Sequence, residues 1–231
     1  MTETLVLDDP ARECAGRLAA AASAGAHIVL TGGSTPRRAY GAAAETETDW
    51  SGATLWLSDE RCVPPDDELS NYAMVKEALL DRLPEAGAGG PTVKRMRAEA
   101  GPHAGADDYE RELRETLGEE MPRLDWVLLG LGPDAHVASL FPGQPTLDAR
   151  GRLAVGVDEA GMEPFVPRVS LTLPVLNSAR AVVFLVTGED KAGAVARAFA
   201  GEPSPDAPGS LVRPAAGELT LLLDAAAASR L

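Results

Sequence analysis

The chain has 231 residues, of which 45% are hydrophobic and 24% charged, as in an ordinary globular protein with one substantial core. Its net charge of −14 argues against nucleic-acid binding, which relies on clustered Lys and Arg. No apolar run reaches the roughly 20 residues of a membrane-spanning helix, and residues 1–10 lack the apolar core of an export signal. The two cysteines, Cys14 and Cys62, fit a reducing compartment. We therefore expect one cytoplasmic domain over residues 1–231, with neither nucleic acid nor a membrane as partner.

Helical and strand-like segments alternate along the first half of the chain. Pro10, after Asp8 and Asp9, is typical of the first turn of a helix, and Ser70 is a natural helix cap. In chain order the predicted segments are a helix over Pro10–Ser23, a strand at His27–Leu30, a helix over residues 36–44, a strand at Thr54–Leu57, a helix over residues 70–83 and a glycine-rich surface loop over residues 85–91.

The second half continues this alternation. The predicted segments are a charged helix over residues 107–117, strands at Trp126–Leu129, residues 169–173 and Ala181–Val186, a helix over residues 191–199, a strand over residues 219–223 and a short helix capped by Asp224. Alternating strands and helices predict an α/β fold of three layers, a mostly parallel sheet with helices on both faces in a modified Rossmann-like arrangement.

Polar residues follow the ends of several predicted strands. Ligands of an open parallel sheet bind at the carboxyl ends of its strands, so one crevice is expected to collect these residues. They are Gly32, Gly33, Ser34 and Thr35 after the first strand, Asp59, Glu60 and Arg61 after the second, Asp134 and His136 after the third, and Lys191 after 181–186. Arg168 precedes its strand, and this rule does not place it.

The turn from Gly32 to Thr35 offers backbone N–H groups, two hydroxyls and a helix N-terminus to an anion such as phosphate. It also fits an ordinary strand-to-helix turn, and it is not a P-loop because no Gly-Lys-Ser/Thr follows. Arg61 and Lys191 supply positive charge, unless each is a solvated surface cation. A cation in the first turn of a helix, as predicted for Lys191, opposes the helix dipole and favours a bound anion.

His136 lies two residues after Asp134 in a turn tightened by Gly130, Gly132 and Pro133. A neutral imidazole in one tautomer can take a proton from water near neutral pH, although a lone histidine can also satisfy only a local hydrogen bond. The histidines and cysteines have no metal-ligand spacing, so no metal is predicted. No Gly-x-Ser-x-Gly elbow is present, and the partial dinucleotide fingerprint at 130–135 lacks the helix and the acidic strand end that it requires.

These segments, in this order, resemble the 6-phosphogluconolactonase family. The resemblance runs from about Pro10 to the carboxyl terminus. The motifs are Thr-Gly-Gly-Ser-Thr-Pro at 31–36, Ser-Asp-Glu-Arg at 58–61 with Ser-Asn at 70–71, Gly-Leu-Gly-Pro-Asp-Ala-His at 130–136, Ala-Ser-Leu-Phe-Pro-Gly at 138–143 and Gly-Glu-Asp-Lys at 188–191.

The resemblance implies a cytoplasmic, monomeric enzyme without a cofactor that hydrolyses 6-phosphogluconolactone in the pentose phosphate pathway. His136, Asp134 and Arg61 would be catalytic, and Gly32, Gly33, Ser34, Thr35, Arg61, Arg168 and Lys191 would bind the phosphorylated substrate. Two alternatives stay open, a glucosamine-6-phosphate isomerase/deaminase and a non-catalytic sugar-phosphate sensing domain. The deaminase branch typically has Tyr at the position of Arg61. One departure concerns Ala135, where the family usually has glycine, so an unusual backbone angle there is in question.

Overall fold

The computed structural model describes residues 2–118 and 121–231. In chain order the strands are β1 (Thr2–Val6), β2 (His27–Leu30), β3 (Thr54–Leu57), β4 (Asp59–Arg61), β5 (Thr92–Lys94), β6 (Trp126–Leu129), β7 (Ala154–Val157), β8 (Arg168–Leu171), β9 (Ala181–Val186) and β10 (Glu218–Leu223). The α-helices are α1 (Pro10–Ser23), α2 (Ser34–Ala44), α3 (Asn71–Ala78), α4 (Pro102–Leu117), α5 (Leu173–Ser178) and α6 (Ala192–Phe199).

Seven strands form a parallel sheet in the order β1-β10-β9-β6-β2-β3-β5. All four residues of β6 are buried, as are the last three of β2 and β3 and the last five of β9. Successive residues of a strand point to opposite faces, so burial at consecutive positions means that both faces of the sheet are covered. This confirms the predicted α/β fold with a mostly parallel central sheet.

A second sheet was not predicted. Its three strands pair antiparallel in the order β4-β8-β7. Ser58 joins the two sheets, because its N–H donates to Leu30 in β2 and its carbonyl accepts from Leu171 in β8. The expected strand over residues 169–173 begins one residue earlier, at Arg168, and ends at Leu171, because Leu173 already opens α5; it belongs to this small sheet. Arg168 opens β8 and therefore lies opposite Arg61, which ends β4.

The starts of two helices follow their sequence signals closely. Asp9 accepts the N–H of Arg12 and Pro10 opens α1, as predicted. Ser70 accepts the N–H of Ala73 and caps α3, but this helix ends at Ala78 and a 3₁₀ turn replaces its last part.

The prediction of a short helix after Asp224 is wrong. Asp224 does accept the N–H of Ala227, but the bonds that follow mix three- and four-residue spacings and form successive turns. No helix among the described residues is both long and apolar enough to span a membrane.

Candidate active site

A cleft of about 290 Å³ lies at the carboxyl ends of the central parallel strands. It collects the residues that the strand-end rule brought together, except Glu60 and Asp134, and it also includes Arg168. Of the site residues predicted from the sequence, those that line the cleft are Gly32, Gly33, Ser34, Thr35, Arg61, His136, Arg168 and Lys191. Asp134 does not line it and instead contacts the imidazole of His136.

His136 is held by the carboxylate two residues before it. Asp134 Oδ1 lies 2.5 Å from His136 Nδ1 and also accepts the backbone N–H of His136 at 3.0 Å. Nδ1 is therefore the protonated nitrogen when the imidazole is neutral, and Nε2 is left as the proton acceptor. Burial raises the pKa of Asp134, but the hydrogen bond and charge of His136 outweigh it, so this pKa lies below its ordinary value.

The backbone of this turn makes room for the imidazole at Gly132. A Cβ added there would lie 2.0 Å from His136 Nδ1 and 2.7 Å from Asp134 Oδ1, so any side chain would displace the pair. The N–H of Gly132 donates to the carbonyl of His136, and the N–H of Ala135 donates to the carbonyl of Gly132. These bonds close a tight turn whose geometry fixes the ring.

Ala135 retains the unusual backbone angle that the sequence left in question. Its φ is 67°, in the left-handed region that favours glycine. The residue is fully buried, and its carbonyl accepts the N–H of Gly209. The turn therefore tolerates alanine in this conformation, with some backbone strain.

The turn before α2 forms one wall of the cleft. Gly33, with φ 112°, is the N-cap of α2, and the following residues Ser34 and Thr35 open the helix. Gly32 is needed for close approach, because a Cβ there would lie 2.1 Å from Asn71 Oδ1. No side chain of the described residues caps this end of α2, so its backbone N–H groups and positive dipole end are available to an anion.

Two guanidinium groups face the same cleft from the small sheet. Arg61 and Arg168 are directly paired across β4 and β8. Arg61 donates to the carbonyl of Leu69, and Arg168 donates to the carbonyls of Met162 and Pro164. Among the described residues, the buried Nε atoms of both arginines lack a hydrogen-bond partner.

Burial is the main influence on Arg168, which is only 3% exposed. Burial lowers the pKa of Arg168, and the positive charge of Arg61 lowers it further. The negative charge of Asp59 opposes both effects but does not outweigh them, so this pKa lies below its ordinary value. Arg61 is half-buried, and each guanidinium keeps a buried Nε–H donor unused. Cations with unused donors are typical of a place that receives an anion or a carbonyl oxygen.

Lys191 borders the cleft from the opposite side. It ends a 3₁₀ turn and is the N-cap of α6, so this helix begins one residue later than predicted. Its ammonium group makes no ion pair with any described residue, although the chain is strongly acidic. Thr35 and Thr187 bond to each other through their hydroxyls at 2.8 Å and continue the polar wall beside it.

Asp59 and Glu60 are buried, and the sequence assigned neither a role. Glu60 accepts the N–H groups of Arg61, Asn71 and Tyr72 and the hydroxyl of Ser70. Burial raises the pKa of Glu60 above its ordinary value, although these bonds oppose the rise. Glu60 thus ties the N-terminus of α3 to β4.

Asn71 and Asp59 are cleft residues to which sequence reasoning gave no function. Asn71 donates to the carbonyl of Asp59 at 2.9 Å and contacts Gly32. The Ser-Asn pair at 70–71 was part of the motif set, and this was the available signal for Asn71. Within the described residues, no group of three or more His, Cys, Asp or Glu side chains has the geometry to hold a metal ion.

Comparison with known proteins gives one consistent family. Residues 2–221 match the family model described as "Glucosamine-6-phosphate isomerases/6-phosphogluconolactonase". The chain is 40% identical over 226 residues to the 6-phosphogluconolactonase of Streptomyces coelicolor, covering 92% of this chain and 85% of that protein. It is 39% identical over 210 residues to the 6-phosphogluconolactonase of Nostoc sp., covering 88% and 84% of the two chains.

Solved structures agree with this result. The 6-phosphogluconolactonase from Trypanosoma cruzi superposes with a TM-score of 0.85 at 29% identity and covers 100% of this chain and 97% of its own. A monomeric glucosamine-6-phosphate deaminase has a TM-score of 0.83 at 19% identity and covers 100% of this chain and 99% of its own, which indicates a shared fold alone. The fold therefore does not separate the two activities, whereas the sequence relatives do.

Proposed function

This chain belongs to the glucosamine-6-phosphate isomerase and 6-phosphogluconolactonase family, and we propose that it hydrolyses 6-phospho-D-glucono-1,5-lactone to 6-phosphogluconate in the oxidative pentose phosphate pathway. One observation carries the proposal. A carboxylate-oriented imidazole, His136, opens on a cleft that also presents Arg61, Arg168 and Lys191. This combination suits a substrate that carries a phosphate at one end and a hydrolysable carbonyl at the other.

The phosphate is held by the turn from Gly32 to Thr35, with Lys191 and Arg168 supplying positive charge. Ser34 and Thr35 stand at the uncapped N-terminus of α2, where backbone N–H groups and the helix dipole favour an anion. Binding energy at the phosphate, remote from the reacting bond, orients the lactone carbonyl toward His136.

Hydrolysis proceeds by general base catalysis. His136 Nε2 takes a proton from water as the water oxygen attacks C1 of the lactone. The C1–ring-oxygen bond then breaks, and the imidazolium returns the proton to the departing ring oxygen, leaving a carboxylic acid that ionises. Asp134 orients the ring and stabilises its positive charge during the reaction. Arg61, with its unpartnered buried Nε, stabilises the oxyanion that develops at C1.

We further infer that the enzyme is a cytoplasmic monomer that needs neither a metal nor a cofactor. His136 supplies the base, and the arginines supply the electrostatic stabilisation that a metal would otherwise provide. Lactonase activity that survives dialysis against a chelator supports this; activity lost on chelation and restored by a divalent ion contradicts it. Light scattering in solution decides the oligomeric state.

The decisive experiment is a direct assay with freshly prepared 6-phosphogluconolactone, subtracting spontaneous hydrolysis. Product is measured as 6-phosphogluconate, and ammonia release from glucosamine 6-phosphate is measured in parallel. Lactone hydrolysis without ammonia release is expected. Ammonia release would identify the deaminase instead, and tight binding of either sugar phosphate without turnover would identify a sensing domain.

A further inference from the structure

A continuous line of buried hydrogen bonds runs beneath the cleft. Ser58 Oγ lies 3.1 Å from Thr31 Oγ1 and 2.8 Å from Asp59 Oδ1. Ser139 Oγ donates to Asp59 Oδ2 at 2.7 Å, and the Nη1 atom of Arg168 lies 3.5 Å from the same hydroxyl. These residues come from the ends of β2 and β3, from β4 and β8, and from the loop after β6. Asp59 lies at the centre of this line.

Asp59 lies beside two positively charged side chains that need a counter-charge. Arg61 and Arg168 are opposed across β4 and β8, and like charges in such a pair destabilise a sheet. Asp59 and Glu60 are the buried carboxylates among the described residues, and Glu60 is occupied by donors from α3 and its own strand. Asp59 is therefore the buried anion that offsets the two guanidiniums when no anionic ligand is present.

Ser139 transmits this effect in two directions. Its single hydroxyl proton is donated to Asp59, so its oxygen is left to accept from Arg168. Its backbone N–H donates to Ser170 Oγ in β8. Ser139 is fully buried and lies three residues after His136, separated from it by Val137 and Ala138, whose φ is 49°. Fixing Ser139 therefore fixes the loop that carries the imidazole.

Asp59 is not arranged to transfer a proton itself. The side chain borders the cleft but belongs to a residue only 5% exposed, and each carboxylate oxygen already accepts a serine hydroxyl.

We propose that Asp59 is a positioning residue that acts through Ser139 and fixes the position of the Arg168 guanidinium relative to the loop that carries His136. The proposal rests on the proposed lactonase function for its kinetic readout. Asp59 keeps the phosphate-binding side of the cleft and the proton-accepting side at a fixed separation, which the substrate must span.

The test compares Asp59→Asn, Ser139→Ala and the double variant, with Ser178→Ala as the matched control. The Ser178 hydroxyl is likewise hydrogen-bonded, but to the backbone carbonyls of Pro122 and Val175, and the residue lies before β9, at the amino ends of the parallel strands and outside the cleft. We measure kcat, KM and the pH–rate profile per folded molecule. We also measure the affinity for 6-phosphogluconate by calorimetry, because that affinity reports on Arg168 without turnover.

Asp59→Asn and Ser139→Ala are each expected to raise KM, lower kcat and weaken 6-phosphogluconate binding. In each single variant kcat/KM should fall about 10- to 100-fold, the size of loss that small misplacements of catalytic groups produce. The double variant should lose no more than Asp59→Asn alone, since both changes break one linkage. Ser178→Ala should leave all three quantities unchanged.

Three results would overturn the proposal. Unchanged kcat and KM per folded molecule would make Asp59 structural only. Disappearance of the acidic limb of the pH–rate profile in Asp59→Asn would make Asp59 the proton acceptor. Additive losses of kcat/KM in the double variant would show that Asp59 and Ser139 act independently.

Two further cases are covered by the same measurements. If Asp59→Asn does not fold, Ser139→Ala alone decides the outcome. If the unaltered protein hydrolyses no lactone, the proposed function fails, and unchanged sugar-phosphate affinity in the variants would then overturn the positioning role separately.

Discussion

One carboxylate oxygen of Asp134 bonds to His136 twice, once at the imidazole Nδ1 atom and once at the backbone N–H. The second bond matters because it fixes which way the carboxylate faces. An asparagine at this position would keep its amide oxygen toward the same N–H. It would therefore preserve the imidazole tautomer and remove only the negative charge.

We predict a graded series at Asp134. Asp134→Asn should lower kcat about tenfold, because the imidazolium formed in the reaction loses a charged hydrogen-bond partner worth roughly 1.5 kcal/mol. Asp134→Ala should lower kcat about 10²-fold, since ring orientation is lost as well. Equal losses in the two variants would contradict this division.

His136→Ala should lower kcat by about 10²-fold or more, since the base is absent. His103→Ala is the matched control. His103 also faces an aspartate, with Nε2 3.0 Å from Asp158 Oδ1, but this pair is about 70% exposed and lies outside the cleft. The rate with His103→Ala should be unchanged. If His136→Ala keeps the full rate after spontaneous hydrolysis is subtracted, His136 takes no part in the mechanism.

Lys191→Ala should raise KM for 6-phosphogluconolactone with a smaller effect on kcat, because the ammonium group holds the phosphate in both ground and transition states. The comparison substrate is the non-phosphorylated gluconolactone, with which Lys191→Ala should match the unaltered enzyme. Lys76→Ala, on α3 and paired with Asp81, serves as the distant cation control. An equal loss with both lactones would show that Lys191 does not recognise phosphate.

The parallel strands and the crevice at their ends could be predicted because each depends on local signals. A buried apolar run such as Trp126–Leu129, followed by glycine and proline, marks both a strand and the turn after it. Arg168 could not be placed, since its position depends on pairing with β4. That strand is the polar tripeptide Asp-Glu-Arg, which has no apolar periodicity.

The contact between Asp59 and Ser139 illustrates a second limit. The two residues are separated by 80 positions, and no spacing rule connects them. Residue type alone marks neither one, because serine and aspartate are common on surfaces and in turns. Only the antiparallel small sheet brings the loop after β6 over β4, and that sheet is a product of tertiary packing.

Glu110 should make acid stability depend on a contact outside the cleft. It accepts hydrogen bonds from Arg152, from Arg114 and from the N–H of Leu153, joining α4 to the segment before β7. Burial raises the pKa of Glu110, but these donors outweigh it and bring this pKa to about 2. A carboxyl whose pKa is lowered by folding stabilises the folded state above its unfolded pKa, near 4.3, and this contribution is lost as pH falls toward 2.

Glu110→Gln should therefore lower the free energy of unfolding by about 1–2 kcal/mol at pH 7, allowing for solvent screening. The difference from the unaltered protein should shrink as pH falls from about 4.5 to 2. Denaturant unfolding at pH 7 and at pH 3 measures this. Glu115→Gln, on the same helix but 70% exposed, should change neither value. A destabilisation by Glu110→Gln that is equal at both pH values would show that the contribution is not ionic.

Ala135 offers a test of how much strain the catalytic turn carries. Relative to glycine, an alanine at φ 67° costs about 1–2 kcal/mol. Replacing it by glycine relieves this cost, but the unfolded chain gains freedom worth about 0.4–1 kcal/mol, and a buried methyl worth about 0.8 kcal/mol is lost. These terms nearly cancel, so Ala135→Gly should change the free energy of unfolding by less than about 1 kcal/mol and leave kcat unchanged.

Ala135→Val adds branching in a left-handed conformation and bulk in a packed site, so it should lower stability by about 2–3 kcal/mol and reduce kcat by displacing His136. Equal behaviour of the glycine and valine variants, in thermal melts and in the lactone assay, would mean that backbone geometry at Ala135 does not position the imidazole.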